Sequence, residues 1–242
     1  VSASVNSSRT ALVAMVGFWA VASFVLPKIA VDIAARAAPL PTLVAFERAI
    51  AEDMSNGLNG VSPDAAIAQR REQTLKLYKV DSIDKLPINF QGVVFSLQEQ
   101  LGNAVFDKHY AALSKTMAAQ NRIYEVVGLF SPRMALALAS MNLSGTSLAD
   151  HEEYARQAES FRRALIERMN QAITLKSAPN QSDFRAGPEL WQEIGAFAYR
   201  APSLGDVLGR IASNLTVLVI WLAAAVVAAL LAVRRLKVTV AA

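Results

Sequence analysis

Two histidines supply all the imidazole in this 242-residue chain. His109 stands in VFDKHY beside Asp107. His151 stands in ADHEEY beside Asp150, Glu152 and Glu153. A divalent metal wants histidine and carboxylate ligands converging on one helical face, three or four residues apart. Neighbours one and two positions away point elsewhere, neither cluster has the HExxH spacing, and Glu159 is two turns from His151 and only roughly aligned. Both histidines therefore read as surface or helix-start residues, with Asp150 and Glu152 explained by the helix dipole. The absence of cysteine excludes a thiolate zinc site, a disulfide scaffold and a cysteine nucleophile. No G-x-S-x-G elbow occurs, and Ser144-Gly145-Thr146-Ser147 reads as a turn followed by a cap. Glu99, Asp107 and Glu125 could be imagined as paired carboxylates, but on a charged helix they read as solvated positions or ion pairs. No G-x-x-x-x-G-K-[ST] is present, so the chain cannot cradle nucleotide phosphates by the usual P-loop arrangement. The expectation is no catalytic residue, no metal and no cofactor in this chain.

The elements that would position any site are set by an uneven distribution of apolar weight. The chain is 53% hydrophobic and 18% charged, below the roughly 25% charge typical of soluble domains. Residues 10–26 (TALVAMVGFWAVASFVL) and 211–233 (IASNLTVLVIWLAAAVVAALLAV) carry no charge. A bilayer core about 30 Å thick needs about 20 helical residues. The second run is long enough alone. The first needs Pro27 to Val31 to complete a crossing, with Lys28 snorkelling to the interface. The chain does not begin with Met, which reads as a processed or trimmed product.

Arg9 precedes the first run, and Arg234, Arg235 and Lys237 follow the second. The positive-inside rule then places both ends in the cytoplasm and the segment between them outside. Residues 36–210 hold equal numbers of basic and acidic residues, so the net charge of +4 comes from the flanks. That excess reports membrane orientation, not a nucleic-acid-binding surface. A signal peptide cleaved at Ala35-Arg36-Ala37 is the competing reading; the run is long for one, and Pro27 and Lys28 intervene.

Between the runs no alternating strand pattern stands out, and helix starts are frequent. Thr42–Ser55 places Leu43, Phe46, Ala49 and Ile50 on one face. Ser62-Pro63-Asp64 opens a helix to about Val80, and 81–89 is a turn-rich connection around Pro87. Gln91–Phe130 is a long helical pattern that Gly92, Gly102 or Gly128 could bend or split. Ser131-Pro132 caps a short helix to about Asn142. Ser147 and Asp150 form an approximate capping box for an amphipathic helix ending near Lys176. Trp191, Ile194, Phe197 and Tyr199 form an aromatic-rich stretch of the kind found at membrane interfaces. Ser203 and Asp206 open a helix predicted to run unbroken through the second apolar run. The reading is all-α: 1–35 a first transmembrane helix and exit, 36–202 a helical extracytoplasmic domain, and 203–242 a second transmembrane helix with a short basic tail. Lys28, Trp191, Arg234 and Arg235 are the predicted interface anchors. Ala224, Ala228 and Ala232 form a small-residue ladder suited to close packing of another membrane helix.

The stretch 131–170, with LPINFQG (86–92) and EQLGNAVFDKHYAAL (99–113) upstream, resembles the large extracytoplasmic domain of one group of bacterial ABC transporter permeases of the type-2 exporter class. The order of membrane helix, proline-marked exit, helical domain and final membrane helix ending in arginines matches throughout. The resemblance implies a permease subunit, or the C-terminal half of a longer permease, in the bacterial inner membrane. Its partners would be a cytoplasmic ABC ATPase holding ATP and Mg, other permease helices or subunits, the lipid bilayer and a periplasmic partner, with no nucleic acid. Such permeases usually carry about six membrane helices and often have further histidines near the position of His151; this chain has two apolar runs, and His151 stands alone.

Two other classes compete. A membrane-anchored periplasmic ligand-sensing or interaction module shares the helix–domain–helix layout, although only about nine residues follow the second run, too few for a signalling domain. A membrane-anchored enzyme would need a pocket with carboxylates converging on His109 or His151.

Overall fold

The computed structural model describes residues 7–179, 181 and 183–234, and no strand occurs among them. The helices are α1 (Ser8–Ala20), α2 (Leu26–Ala37), α3 (Leu43–Asn56), α4 (Pro63–Tyr78), α5 (Phe90–Gly128), α6 (Pro132–Leu143), α7 (Leu148–Lys176), α8 (Pro188–Ile194) and α9 (Leu204–Arg234). The all-α expectation holds, with two helical stretches long and apolar enough to cross a membrane, Ser8–Ala37 and Leu204–Arg234, flanking a helical middle.

The local signals act as their chemistry requires. The hydroxyls of Thr42, Ser62 and Ser131 accept from the backbone N–H three residues on, at 3.2, 3.3 and 3.2 Å. Each satisfies a donor that the first helical turn leaves unpaired. Ser147 and Asp150 close the expected box: Asp150 N donates to Ser147 Oγ, and Ser147 N donates to Asp150 Oδ2, both at 3.3 Å. Ser203 and Asp206 repeat it at 3.2 Å. Lys79, just after α4, takes a left-handed φ of 55°, which turns the chain toward Val80. α5 runs without interruption through Gly92 and Gly102 and stops at Gly128.

The chain divides into two units. The terminal unit comprises the chain up to Leu40, Thr116–Glu152 and the chain from Ala201 onward; the central unit comprises Pro41–Lys115 and Glu153–Arg200. α5 and α7 contribute residues to both.

In the central unit, the connection 81–89 does more than turn the chain. It contains a 3₁₀ turn (Ile83–Lys85), then a bend through Pro87 and Ile88 into α5, and Leu86, Ile88 and Phe90 are buried in the core with Leu75, Val80, Ile83, Val93 and Val94. Asn89, between them, is also buried. Its Nδ2 donates to Ser177 Oγ, Ala178 O and Gln181 O at 2.8–3.0 Å, and its Oδ1 accepts from Gln91 N at 2.9 Å. One side chain thus caps the start of α5 and holds the loop after α7. Close by, a Cβ on Gly92 would stand 2.6 Å from Thr174 N and 2.8 Å from Asn170 O. The backbones of α5 and α7 meet here at a separation that only glycine allows.

In the terminal unit, α1 and α2 form one continuous helical stretch interrupted by a π-helical segment, Val21–Val25. Pro27 accounts for it, because a proline has no N–H to donate and crowds the carbonyl one turn back. The wider turn lets Leu26 N donate to Val21 O. Ala22 O thereby loses its α-helical donor, and Pro27 cannot supply the π-helical one. The helix continues past Pro27 to Ala37, so this proline sits inside the stretch and is not where it ends.

Candidate functional site

Two places in the molecule gather side chains that could serve a function, one in each unit. In the central unit, a cavity of about 860 Å³ is lined by α3, α5 and α7. Met54, Phe95, Phe106, Tyr110 and Ile166 supply its apolar wall. Gly102 contributes no side chain, and a Cβ there would have only Met54 Cε nearby, at 3.7 Å. A volume of this size is in the range that holds a small molecule of roughly 300–1,000 Å³.

Along the same cavity runs a chain of ion pairs. Arg162 meets Glu99 and Glu159, both at 2.7 Å, and donates to Asn103 Oδ1 at 2.6 Å. Arg163 meets Glu159 at 2.7 Å and grips both oxygens of Asp107. Glu99, Asn103 and Asp107 are four residues apart on α5, so they share a face, as do Glu159, Arg162 and Arg163 on α7. Arg162 and then Arg163 hold the Glu159 carboxyl down to about 2, against the opposing effect of burial. Arg163 likewise holds Asp107 below the usual carboxylate range, while both guanidiniums are pushed further toward the charged form. Glu159 and Asp107 accept through both oxygens, whereas the buried Glu99 Oε1 pairs with the Arg162 charge without an aligned hydrogen bond. Glu99 and Asp107 face arginines rather than each other, and Glu125 accepts from Asn121 at 2.8 Å.

His109 Nε2 lies 2.7 Å from Asp53 Oδ2, with Lys108 Nζ 2.6 Å from the same oxygen. Lys108 foremost, then His109, keep Asp53 below its ordinary range. The imidazole stands edge-on to Phe46, 6.1 Å between centroids. Adjacency in sequence gave no hint of this pairing, since Asp53 is 56 residues away on α3. His151 is exposed at the start of α7. Among the described residues, no group of three or more histidines and carboxylates is arranged to hold a metal.

In the terminal unit, α6 packs along α9 and against the π segment. Its buried side chains are Met134, Ala135 and Ala139, and α9 offers Ile211. Three polar contacts fix the arrangement. Ser131 Oγ donates to Ala22 O at 3.0 Å, Trp221 Nε1 donates to Leu129 O at 3.2 Å, and Arg210 Nη1 meets the buried Asp150 at 2.9 Å. Trp221 also touches Phe18, with ring centroids 6.0 Å apart.

The predicted anchors and packing residues fall as follows. Lys28 is exposed and pairs with Asp32 at 2.7 Å. Trp191 is on α8 in the central unit, half exposed. Its aromatic neighbours Phe197 and Tyr199 pack on Tyr154, at 5.9 and 5.3 Å, and Phe197 also packs on Phe161 at 5.6 Å. Arg234 closes α9, and Arg235 lies outside the described residues. Ala224 and Ala228 are exposed and Ala232 partly so. On the other apolar stretch, Ala11, Ala22, Ala30 and Ala34 are buried.

A family model described as "Domain of unknown function (DUF3526)" matches residues 44–200. No curated protein and no solved structure matches the chain.

Proposed function

The chain belongs to the DUF3526 family, and from that premise we propose that it is a membrane-spanning permease subunit, or part of one, of an ATP-driven ABC exporter. The reading rests on the layout of two apolar helical stretches around a helical middle, together with the resemblance of 86–170 to type-2 exporter permeases. The observation that carries it is the outward apolar surface of both stretches. Val13, Phe24, Val219, Leu222 and Val233 are all more than three-fifths exposed. Leaving such side chains in water forfeits about 1.5–3 kcal/mol apiece, so these helices belong in lipid or against other membrane helices. Ala224, Ala228 and Ala232 form a face on which another permease helix could pack closely. The basic flanks favour an inner-membrane orientation with both ends in the cytoplasm and the middle outside. ATP and Mg would be held by the partner ATPase, whose movement would reach this chain as rigid-body shifts of its helices.

Purification of the chain in mild detergent tests this reading. A P-loop ATPase should co-purify; repeated isolation as a lone species would overturn the assignment. A reporter fused after Ala242 should be cytoplasmic, and an extracellular one would refute the topology.

The central cavity favours a second reading, a membrane-anchored periplasmic ligand-sensing or interaction module. An apolar wall beside a chain of ion pairs suits a small amphipathic ligand. A fused output domain in the parent gene would make this the better account.

A further inference from the structure

Among the described residues two asparagines are buried, Asn89 and Asn170. The Asn89 side chain makes four hydrogen bonds. Asn170 is only 6% exposed, yet among the described residues nothing hydrogen-bonds its side-chain amide. Buried amides in folded proteins ordinarily have partners. The Asn170 backbone carbonyl is taken by Thr174 Oγ1 at 2.8 Å. What this residue lends to the wall of the central cavity is therefore the open amide, a donor beside an acceptor.

That amide lies where the cavity closes. A Cβ on Gly92 would stand 2.8 Å from Asn170 O, so α5 and α7 converge there, and Phe95 is less than one turn further along α5. From Phe95 the apolar wall continues to Phe106 and Tyr110, whose rings remain 40–52% exposed. On the α7 side stand Arg162 and Arg163. Guanidinium planes stack readily on aromatic faces.

The wall charges argue against a charged ligand. The cavity is lined by Glu99, Asp107 and Glu159 and by Arg156, Arg162 and Arg163, three of each sign, and every one is already paired. An added anion or cation would have to break a pair and leave a charge uncompensated. Size argues against a partner helix. A helix about 10 Å across, laid along the fifteen residues from Phe95 to Tyr110, would fill about 1,700 Å³. The cavity holds about 860 Å³.

We propose that the central cavity binds an uncharged, planar aromatic compound whose edge carries a hydrogen-bond donor beside an acceptor, as in a lactam or primary amide. The ring lies against Phe95 and Phe106, and the edge pairs with the Asn170 amide through two N–H···O bonds. Binding then satisfies a buried polar group that the protein leaves open. This inference rests on the reading of the central unit as a ligand-binding module, and deepens it.

The test uses 2-quinolinone, a fluorescent, uncharged fused ring with a lactam edge. Its N-methyl derivative keeps the ring and loses the donor; quinoline-2-carboxylate keeps the ring and adds a charge. The full chain, reconstituted in lipid nanodiscs, would be dialysed to equilibrium against each compound, with empty nanodiscs as the blank. 2-Quinolinone should bind saturably with a Kd on the order of 0.1 mM, and the other two about tenfold more weakly. Asn170→Leu should weaken 2-quinolinone about tenfold while leaving the N-methyl compound unchanged, a pattern that unfolding cannot produce. Gly102→Leu, which places a side chain in the cavity, should weaken both. Equal binding of 2-quinolinone and its N-methyl derivative, both lost in Gly102→Leu, would overturn the pairing with Asn170 and leave the ligand-binding reading standing. Tighter binding of the carboxylate would overturn the uncharged assignment. No saturable binding of any of the three would overturn the proposal and take away the cavity's support for that reading.

Discussion

The Ser131 hydroxyl donates to the Ala22 carbonyl at 3.0 Å while accepting from Met134 N, joining two elements 109 residues apart. The first bond exists because Pro27 cannot supply an N–H to that carbonyl. The second is an ordinary helix cap. One buried oxygen therefore resolves a defect in the first apolar stretch and starts α6.

Removing that oxygen should be costly. Ser131→Ala leaves a buried carbonyl unpaired and uncaps α6, for an expected loss of about 2–3 kcal/mol, read as denaturant unfolding in detergent. Pro27→Ala restores a donor near Ala22. In the double variant the cost of Ser131→Ala should fall by about 1 kcal/mol or more. Additive losses would show that the proline and the serine are unrelated.

Two glycines on α5 should respond in opposite ways. Gly92→Ala drives a Cβ into the backbone of α7 and should destabilise the protein by about 1–3 kcal/mol. Gly102→Ala meets only the end of Met54 in ordinary contact. It should be neutral or stabilising by up to about 1 kcal/mol, through helix propensity. Thermal unfolding of the two variants side by side checks the contrast.

Acid should loosen the pairs along the cavity. The Glu159 carboxyl titrates at about 2 when folded, against an ordinary value of 4.5. Between those values the unfolded chain binds more protons, so stability rises with pH across this window. The contribution of Glu159 is complete above about pH 4.5 and disappears as pH falls through about 2. Its partial exposure tempers the size of the effect. Glu159→Gln should lower stability at pH 7 and flatten the acid limb; an unchanged limb would mean that Glu159 is not held as described.

Arg210 and Asp150 tie α9 to the start of α7. Asp150 is almost wholly buried, and removing its cation leaves an uncompensated charge. Arg210→Ala should cost about 3 kcal/mol, and Asp150→Asn with Arg210→Ala should cost less than the sum of the two single changes. A double-mutant cycle with no coupling would show that the pair contributes nothing.

Much of this architecture is written locally. Uncharged runs at 10–26 and 211–233, hydroxyls three residues before a free N–H, and proline at the first helical turn each act over one or two turns. Their consequences can therefore be read without knowing what lies across the molecule, and the starts of α3, α4, α6, α7 and α9 fall where those residues place them. Partnerships between distant residues are decided otherwise. His109 with Asp53, Asn89 with the loop after α7, and Arg162 with Glu99 depend on which helix faces meet. So does the burial of Leu86, Ile88 and Phe90, whose alternation is too short to stand out from a turn-rich connection. Pro27 shows the division within one residue. Its missing N–H is a property of the sequence, but only the packing of α6 decides that a serine more than a hundred residues away repairs the loss and that the chain turns back beside it.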